Sequence, residues 1–437
     1  MSGLAAILMH NGFTMSGSDR SKTELIVKLE EAGARVTVGQ TAENITDDID
    51  VVVYTAAIHP DNPEFAAAVR KGIPMLTRAE LLGQVMQEFE HSIAVSGTHG
   101  KTTTTSMITN ILLAAGEDPT VTVGGMLESI GGNIHIGSRD MFVAEACEYT
   151  NSFLEFFPTI EVILNIEADH LDFFKDIDDI RHSFGLFVKK LPEDGLVVIN
   201  SDIRDYGEII GDFKGNVITV GGADADYRAE NIVFDELAHP SFDLIIKNRY
   251  VDRIALSVPG EHNVYNALAA IAVADYLGID EKVFKKGLAS FTGAQRRFQK
   301  KGRLGGIEVY DDYAHHPQEI EATLRAARHM RCGRIICVFQ PHTYTRTKAL
   351  LGDFARALSL ADIAVLTDIY PARETDTLGV SSKNIVDLIT DAGGHAVYTP
   401  TFDMAETFLL GELRDGDLCI TMGAGDVVKV GEKLLGM

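Results

Sequence analysis

Short β-branched runs alternate with amphipathic stretches along nearly the whole chain, the pattern of α/β layers built on parallel sheets. Three blocks carry the alternation. The first, residues 1–88, predicts a helix over Leu4–Met9, a strand ending at Ser16-Gly17-Ser18-Asp19 and an apolar strand Val51-Val52-Val53-Tyr54. The second, 89–301, opens with the apolar strand Ser92-Ile93-Ala94-Val95. The third, 302–437, opens with Ile307-Glu308-Val309-Tyr310 and repeats strand then helix, with strands expected at Arg334–Phe339, Ile363–Thr367, Ala396–Tyr398 and Leu418–Met422. The basic, glycine-bearing stretch 296–306 reads as a linker between the last two blocks. The expected fold is therefore α/β, in three domains, each built on a mainly parallel sheet.

Length and composition narrow the function classes. A chain of 437 residues exceeds one ordinary hydrophobic core, in keeping with several domains. A formal charge of −24 argues against a nucleic-acid partner, which needs a basic footprint. It leaves room for a nucleotide, which a few local donors can hold. Apolar runs fall short of a membrane span, so no membrane insertion is expected. Cys147, Cys332, Cys337 and Cys419 are scattered, without metal-type pairs or scaffold density. That usage suits a reducing, cytoplasmic compartment.

The strongest motif is Gly97-Thr98-His99-Gly100-Lys101-Thr102-Thr103, directly after the Ser92–Val95 strand. Apolar residues then recur at Met107, Ile108, Ile111 and Leu112, the spacing of one helix face. A strand, a glycine loop and a helix start place backbone N–H groups around phosphate oxygens, and the helix dipole favours the anion. Lys101 is then placed to reach the outer phosphates, and Thr102 to ligate magnesium. The loop is shorter than the full phosphate-loop pattern, which wants a glycine five residues before Gly100, where Val95 stands. A plain turn would not need both flanking elements.

Carboxylates follow two later apolar runs: Glu145 and Glu148 after Met141-Phe142-Val143-Ala144, and Glu167, Asp169 and His170 after Glu161-Val162-Ile163-Leu164-Asn165-Ile166. Ligands of open α/β sheets collect beyond strand C-termini, so these side chains are expected near the phosphate loop. Magnesium takes oxygen ligands and keeps waters, so one or two carboxylates plus ATP oxygens suffice. His262, Asn263 and Asn266 share the first turn of a predicted helix, either as simple caps or facing a nucleotide. The third block adds Asp311-Asp312-Tyr313-Ala314-His315-His316-Pro317 and Gln340-Pro341-His342-Thr343-Tyr344-Thr345-Arg346-Thr347, each at a strand end. Arg346 suits an anion clamp.

Together these motifs resemble the Mur ligase family. Gly97 to Thr102 is similar to its ATP loop, and His262-Asn263-Val264-Tyr265-Asn266-Ala267 to its central helix motif. The two third-block motifs resemble the family's L-alanine-adding branch, and Glu145-Ala146-Cys147-Glu148-Tyr149 and Asp368-Ile369-Tyr370-Pro371-Ala372 resemble its Gram-positive form. The resemblance spans essentially the whole chain. It implies a Rossmann-like UDP-sugar domain, a central ATP domain and a Rossmann-like amino-acid domain. The implied activity joins L-alanine to the carboxylate of UDP-N-acetylmuramate through an acyl phosphate, for peptidoglycan precursors, with ATP and Mg2+.

Residue by residue, the resemblance implies that Lys101 holds phosphates, with Thr98, His99 and Thr103 alongside in the ATP loop. Thr102 would serve a first magnesium, and Glu145 and His170 a second. His262, Asn263 and Asn266 would lie near the nucleotide, and His315 and Arg346 at the amino-acid and acyl-phosphate end. Ser18, Asp19, Thr55, Asn62 and Arg78 resemble the UDP-sugar pocket, through short motifs that ordinary turns and helix starts also produce. Two rivals stand beside this reading: a recycling ligase that adds a tripeptide to the same sugar, and a catalytically silent nucleotide-sugar sensor. Family members also resemble this sequence with a strand and a glycine-rich turn ahead of the matching Met-Ser-Gly-Leu-Ala. The expectation is that Met1 is an internal methionine and that about 10 to 20 residues, the first strand and its loop, precede it.

Overall fold

The computed structural model describes residues 1–55, 57–372 and 374–437. It is an α/β protein with sheets dominated by parallel pairing. The N-terminal part holds β1 (Ser16–Asp19), β2 (Arg35–Val38), β3 (Val52–Tyr54) and β4 (Met75–Thr77). These form two separate parallel pairs, β1–β2 and β3–β4, where one mainly parallel sheet was expected. Strands of three or four residues offer few ladder bonds, and each strand here has a single partner. Leu4 and Ile7 of the first helix, Ser2–His10, pack into the same core as Leu82 and Met86 and the central strands.

The central part contributes β5 (His91–Ser96), β6 (Thr120–Leu127), β7 (Gly132–His135), β8 (Met141–Glu145), β9 (Ile160–Ile163), β10 (Leu196–Asn200), β11 (Asn216–Val220), β12 (Tyr227–Phe234), β13 (Pro240–Ile246) and β14 (Arg249–Ala255). They make one ten-stranded sheet in the order β14-β13-β12-β11-β10-β9-β5-β8-β6-β7. The pairings β12–β13, β13–β14 and β6–β7 are antiparallel, and the rest are parallel. Alternating side chains along β5 divide between two cores, with Ile93 and Val95 on one face and Ala94 on the other. Helix Lys101–Ala115 is buried from Thr102 to Leu112, because it lies between the sheet and helices His262–Tyr276 and Glu281–Ser290. Gly287 permits that approach: a Cβ there would sit 2.6 Å from Ile111 Cα.

The C-terminal part adds β15 (Gln299–Leu304), β16 (Ile307–Asp312), β17 (Ile335–Phe339), β18 (Ile363–Leu366), β19 (Ala396–Tyr398) and β20 (Leu418–Met422), in the order β15-β16-β20-β17-β18-β19. Only the edge strand β15 runs antiparallel within this sheet. The stretch 296–306, expected to be a linker, therefore supplies a strand of the third sheet. Its basic character is used structurally: Arg296 pairs at 2.8 Å with Asp311, whose side chain is fully buried. No helix among the described residues is long and apolar enough to cross a membrane.

Candidate active site

β5 lies between β8 and β9, and the connections leave it in both directions, so a crevice opens beyond its C-terminal end. The phosphate-loop motif occupies that crevice. Gly97 and Gly100 adopt φ of +133° and +85°, and the helix begins at Lys101. Asn165, just past β9, fastens the loop from one side. Its Oδ1 accepts from the His99 N–H at 2.7 Å, its Nδ2 donates to the His99 carbonyl at 3.0 Å, and its own carbonyl accepts from the Thr98 N–H at 3.1 Å. Thr98 Oγ1 accepts from the Glu167 N–H at 2.9 Å. A Cβ on Gly100 would stand 2.5 Å from Asn266 Oδ1, so glycine is required there by contact as well as by φ.

Lys101 folds back over this loop. Its Nζ donates to the Gly97 and Thr98 carbonyls and to Glu148 Oε2, the last at 3.0 Å. Burial opposes the ammonium, yet Glu148 outweighs it and holds the lysine pKa above its usual value. The other Glu148 oxygen lies 3.8 Å from His170 Nε2, as does Asp169 Oδ2. His170 has a φ of +54° and stacks on Tyr149 at 4.5 Å between ring centroids. Among the described residues no hydrogen bond or ion pair joins Glu145 to His170. Glu145 Oε1 instead accepts from the Gly124 N–H at 2.5 Å, and the carboxylate nearest His170 on this segment is Glu148. Sequence spacing named the strand-end glutamate, while the turn that follows it delivers the second one.

A cavity of about 300 Å3 runs from this loop toward the third sheet. His99, Gly100 and Thr103 line it together with His262, Asn263 and Asn266. Asn266 Nδ2 donates to Asn263 Oδ1 at 2.9 Å, and Asn263 Nδ2 to the Pro259 carbonyl at 2.8 Å, which fixes both amides. Burial lowers the His262 pKa to about 4. Arg297, absent from the sequence-based assignments, also lines the cavity, and its Nη2 reaches Thr102 Oγ1 at 3.4 Å. Asp312, at the end of β16, is pushed up to about 6 by burial. It accepts hydrogen bonds from the Phe298 and Ala314 N–H groups and from Thr323 Oγ1.

The third sheet presents its polar loops to the same crevice. Arg346, in the short helix Tyr344–Ala349, donates from Nε and Nη2 to Asp169 Oδ1 at 3.2 and 3.0 Å. That pair bridges the central and C-terminal parts, with side chains only 12% and 10% exposed. Burial works against the Asp169 charge, but Arg346 and His170 hold its pKa well below the usual carboxylate range. His315 Nδ1 lies 3.0 Å from the Tyr313 carbonyl and 3.4 Å from Glu319 Oε2. Burial lowers the pKa values of His315, His316 and His342, the last two to about 4. Glu319, Asp169 and Asn165 join this site through tertiary contacts. The one local signal for Glu319 was its place three residues after the helix-capping His316.

The first-part candidates lie apart from that cavity. Ser18 Oγ donates to Glu64 Oε2 at 2.6 Å, and Asn44 Nδ2 to Glu64 Oε1 at 2.7 Å. Asp19 accepts from the Ser21 N–H and Thr55 from the Ala57 N–H. Asn62 caps helix Pro63–Lys71 and donates to Gln40 Oε1, while Arg78 opens helix Arg78–Met86.

A phosphate loop at a sheet fork, closed over by charged loops of another α/β layer, is the architecture of a nucleotide-dependent enzyme working between domains. The chain belongs to the Mur ligase family. Residues 1–90 match the Mur ligase family, catalytic domain, 95–274 the Mur ligase middle domain, and 296–425 the Mur ligase, glutamate ligase domain. The UDP-N-acetylmuramate–L-alanine ligase of Lachnospira eligens is 57% identical over 437 residues, covering 100% of this chain and 95% of that protein. The same-named protein of Acetivibrio thermocellus is 51% identical, covering 100% and 93%. The crystal structure of UDP-N-acetylmuramate–alanine ligase from Thermotoga maritima superposes with a TM-score of 0.83 at 30% identity, covering 100% and 96%. A murein peptide ligase from Psychrobacter arcticus gives 0.72 at 25% identity, with the same coverage.

Proposed function

We propose that this chain is a cytoplasmic, ATP-dependent ligase that forms the amide between L-alanine and the lactyl carboxylate of UDP-N-acetylmuramate, in peptidoglycan precursor synthesis. The observation that carries the reading is the meeting of Arg346 with Asp169 beside the phosphate loop. It supports the assignment of this guanidinium to the amino-acid carboxylate, beside the loop assigned to ATP. The domains assigned are 1–88 for the UDP-sugar, 89–301 for ATP and 302–437 for the amino acid. Ser18, Asp19, Thr55, Asn62 and Arg78 are assigned to the sugar nucleotide.

The chemistry follows from the groups present. A carboxylate acylates an amine only after one oxygen becomes a leaving group, so the lactyl carboxylate attacks the γ-phosphorus and ADP departs. Lys101, released from Glu148 by the incoming phosphates, neutralises charge on the β- and γ-phosphoryl oxygens. Thr102, Glu145 and His170 are the residues assigned to magnesium, with Glu148, 3.8 Å from His170 Nε2, as the further carboxylate on this segment. The described residues hold no preformed cluster of metal-ligating side chains, so most of the ion's ligands would be phosphate oxygens and water. Bound there, Mg2+ would stabilise charge on the transferring phosphoryl group. The alanine ammonium gives up a proton, its amine attacks the acyl carbon, and the tetrahedral intermediate loses a second nitrogen proton and inorganic phosphate to leave the amide. Burial lowers the pKa values of His315 and His342, which limits positive charge where the amine enters. The test is phosphate release. It should require ATP, magnesium, UDP-N-acetylmuramate and L-alanine together, and equal or faster turnover with the murein tripeptide would overturn the amino-acid assignment.

A further inference from the structure

One carboxylate touches both halves of the crevice. Glu319 lies at the start of helix Pro317–His329, in the C-terminal part, with its side chain 14% exposed. Its Oε2 accepts from the His315 and His316 N–H groups at 3.0 and 3.2 Å and stands 3.4 Å from His315 Nδ1. Its Oε1 reaches across to the phosphate loop, 3.2 Å from His99 Nδ1. The neighbouring Gln318 Oε1 lies 3.3 Å from His99 Nε2, and the His316 ring sits 4.9 Å from the His99 ring. Asn165 grips the His99 backbone at both the N–H and the carbonyl, which fixes the residue's place on the central part, while its ring is held by the contacts from Glu319, Gln318 and His316.

We propose that Glu319 is a positioning residue, which latches onto His99 when the C-terminal part closes and thereby sets the amino-acid loop at His315 in register with the phosphate loop. The proposal deepens the assigned reaction and rests on it for the identity of the two bound substrates. The physical case is that both oxygens of a single rigid carboxylate are engaged. A shift of the phosphate loop moves Oε1, and with it the Oε2 contacts that hold the backbone at residues 315 and 316. A cap alone would use only the contacts to the helix start. The reach to His99 adds a link between parts that no capping role needs. Arg346–Asp169 is a second link between the same two parts, made from helix Tyr344–Ala349 rather than from the His315 loop.

The experiment is a double-mutant cycle on the full chain, with His99→Asn, Glu319→Gln and both together. It reads kcat, KM for L-alanine, affinity for a non-hydrolysable ATP analogue, melting temperature, and compaction by small-angle scattering with the analogue and UDP-N-acetylmuramate bound. Losing the close approach of the Glu319 carboxylate to the His99 ring should lower kcat by about tenfold in each single variant. The double variant should be no worse than the poorer single one, and ligand-induced compaction should fall in all three. Multiplying effects in the double variant would overturn the latch. So would a silent His99→Asn beside a Glu319→Gln variant that differs only in melting temperature, since that is the signature of a lost cap. A wild-type enzyme inactive with L-alanine would sink the assigned reaction, while the compaction readings would still judge the coupling.

Discussion

Asp169→Asn isolates the ion pair that joins the central and C-terminal parts. The substitution keeps the size and the hydrogen-bonding outline of the side chain but removes its charge. Arg346 places Nε and Nη2 on one oxygen, with both partners about nine-tenths buried, so water compensates little for the loss. A hydrogen bond to a charged group contributes about 1.5–3 kcal/mol, which converts to roughly a 10- to 150-fold change in an equilibrium constant. Because the contact spans two parts rather than filling one core, the loss should fall on closure more than on unfolding. Scattering with ATP analogue and UDP-sugar bound should show a more open average shape, with melting temperature nearly unchanged. The sign with pH follows from the depressed carboxyl: the pair contributes fully above the ordinary aspartate range and is lost only as pH falls through the lowered value. Wild-type compaction should therefore weaken in acid, and the variant's should lack that component. Equal compaction of the two proteins at neutral pH would show that the Arg346–Asp169 pair does not hold the closed state.

Lys101→Ala should lower turnover by about a hundredfold or more while the fold survives, because the lysine meets phosphate charge and packs no core; near-normal phosphate release would remove this loop from the ATP site. Gly100→Ala should abolish binding of an ATP analogue, as its Cβ would enter Asn266 at 2.5 Å on a backbone of φ +85°; titration calorimetry checks it, and unchanged affinity would count against the loop geometry. Glu161, fully buried on β9 between Ala94 and Val197, with neither oxygen in a well-formed hydrogen bond among the described residues, should make Glu161→Leu more stable by about 1–3 kcal/mol at neutral pH. Burial raises this carboxyl well above its usual value, so wild-type stability is lost as pH rises above the unfolded glutamate range, and the variant's advantage should grow over the same interval. Melting temperatures that keep a constant gap across pH would contradict this.

The strands that run through cores were legible because their apolar residues are continuous: β5, β8, β17 and β20 fall where Ser92–Val95, Met141–Ala144, Arg334–Phe339 and Leu418–Met422 predicted them. The strand–loop–helix shape at 92–115 was legible for a related reason, since the glycines, lysine and threonines of 97–103 are contiguous between two apolar elements. What sequence could not show were contacts made across the fold. Gly100 needs to be glycine because Asn266, far along the chain, lies against it. Glu148 rather than Glu145 faces His170, because the chain turns sharply after β8, with Thr150 and Asn151 at positive φ. β15 hid within polar, basic residues, since an edge strand needs no apolar run. His99 and Glu319 look like a loop residue and a helix cap until the two sheets are placed together.

Whether the reaction passes through an acyl phosphate is decided by following the oxygen of the activated carboxylate. UDP-N-acetylmuramate carrying oxygen-18 in its lactyl carboxylate is incubated with ATP, magnesium and L-alanine, and the released phosphate is weighed by mass spectrometry. Attack of that carboxylate on the γ-phosphorus, followed by displacement by the amine, moves one labelled oxygen into inorganic phosphate for each amide formed. That single transfer is expected, with ADP as the nucleotide product, and unlabelled phosphate, or AMP in place of ADP, would rule out the acyl phosphate.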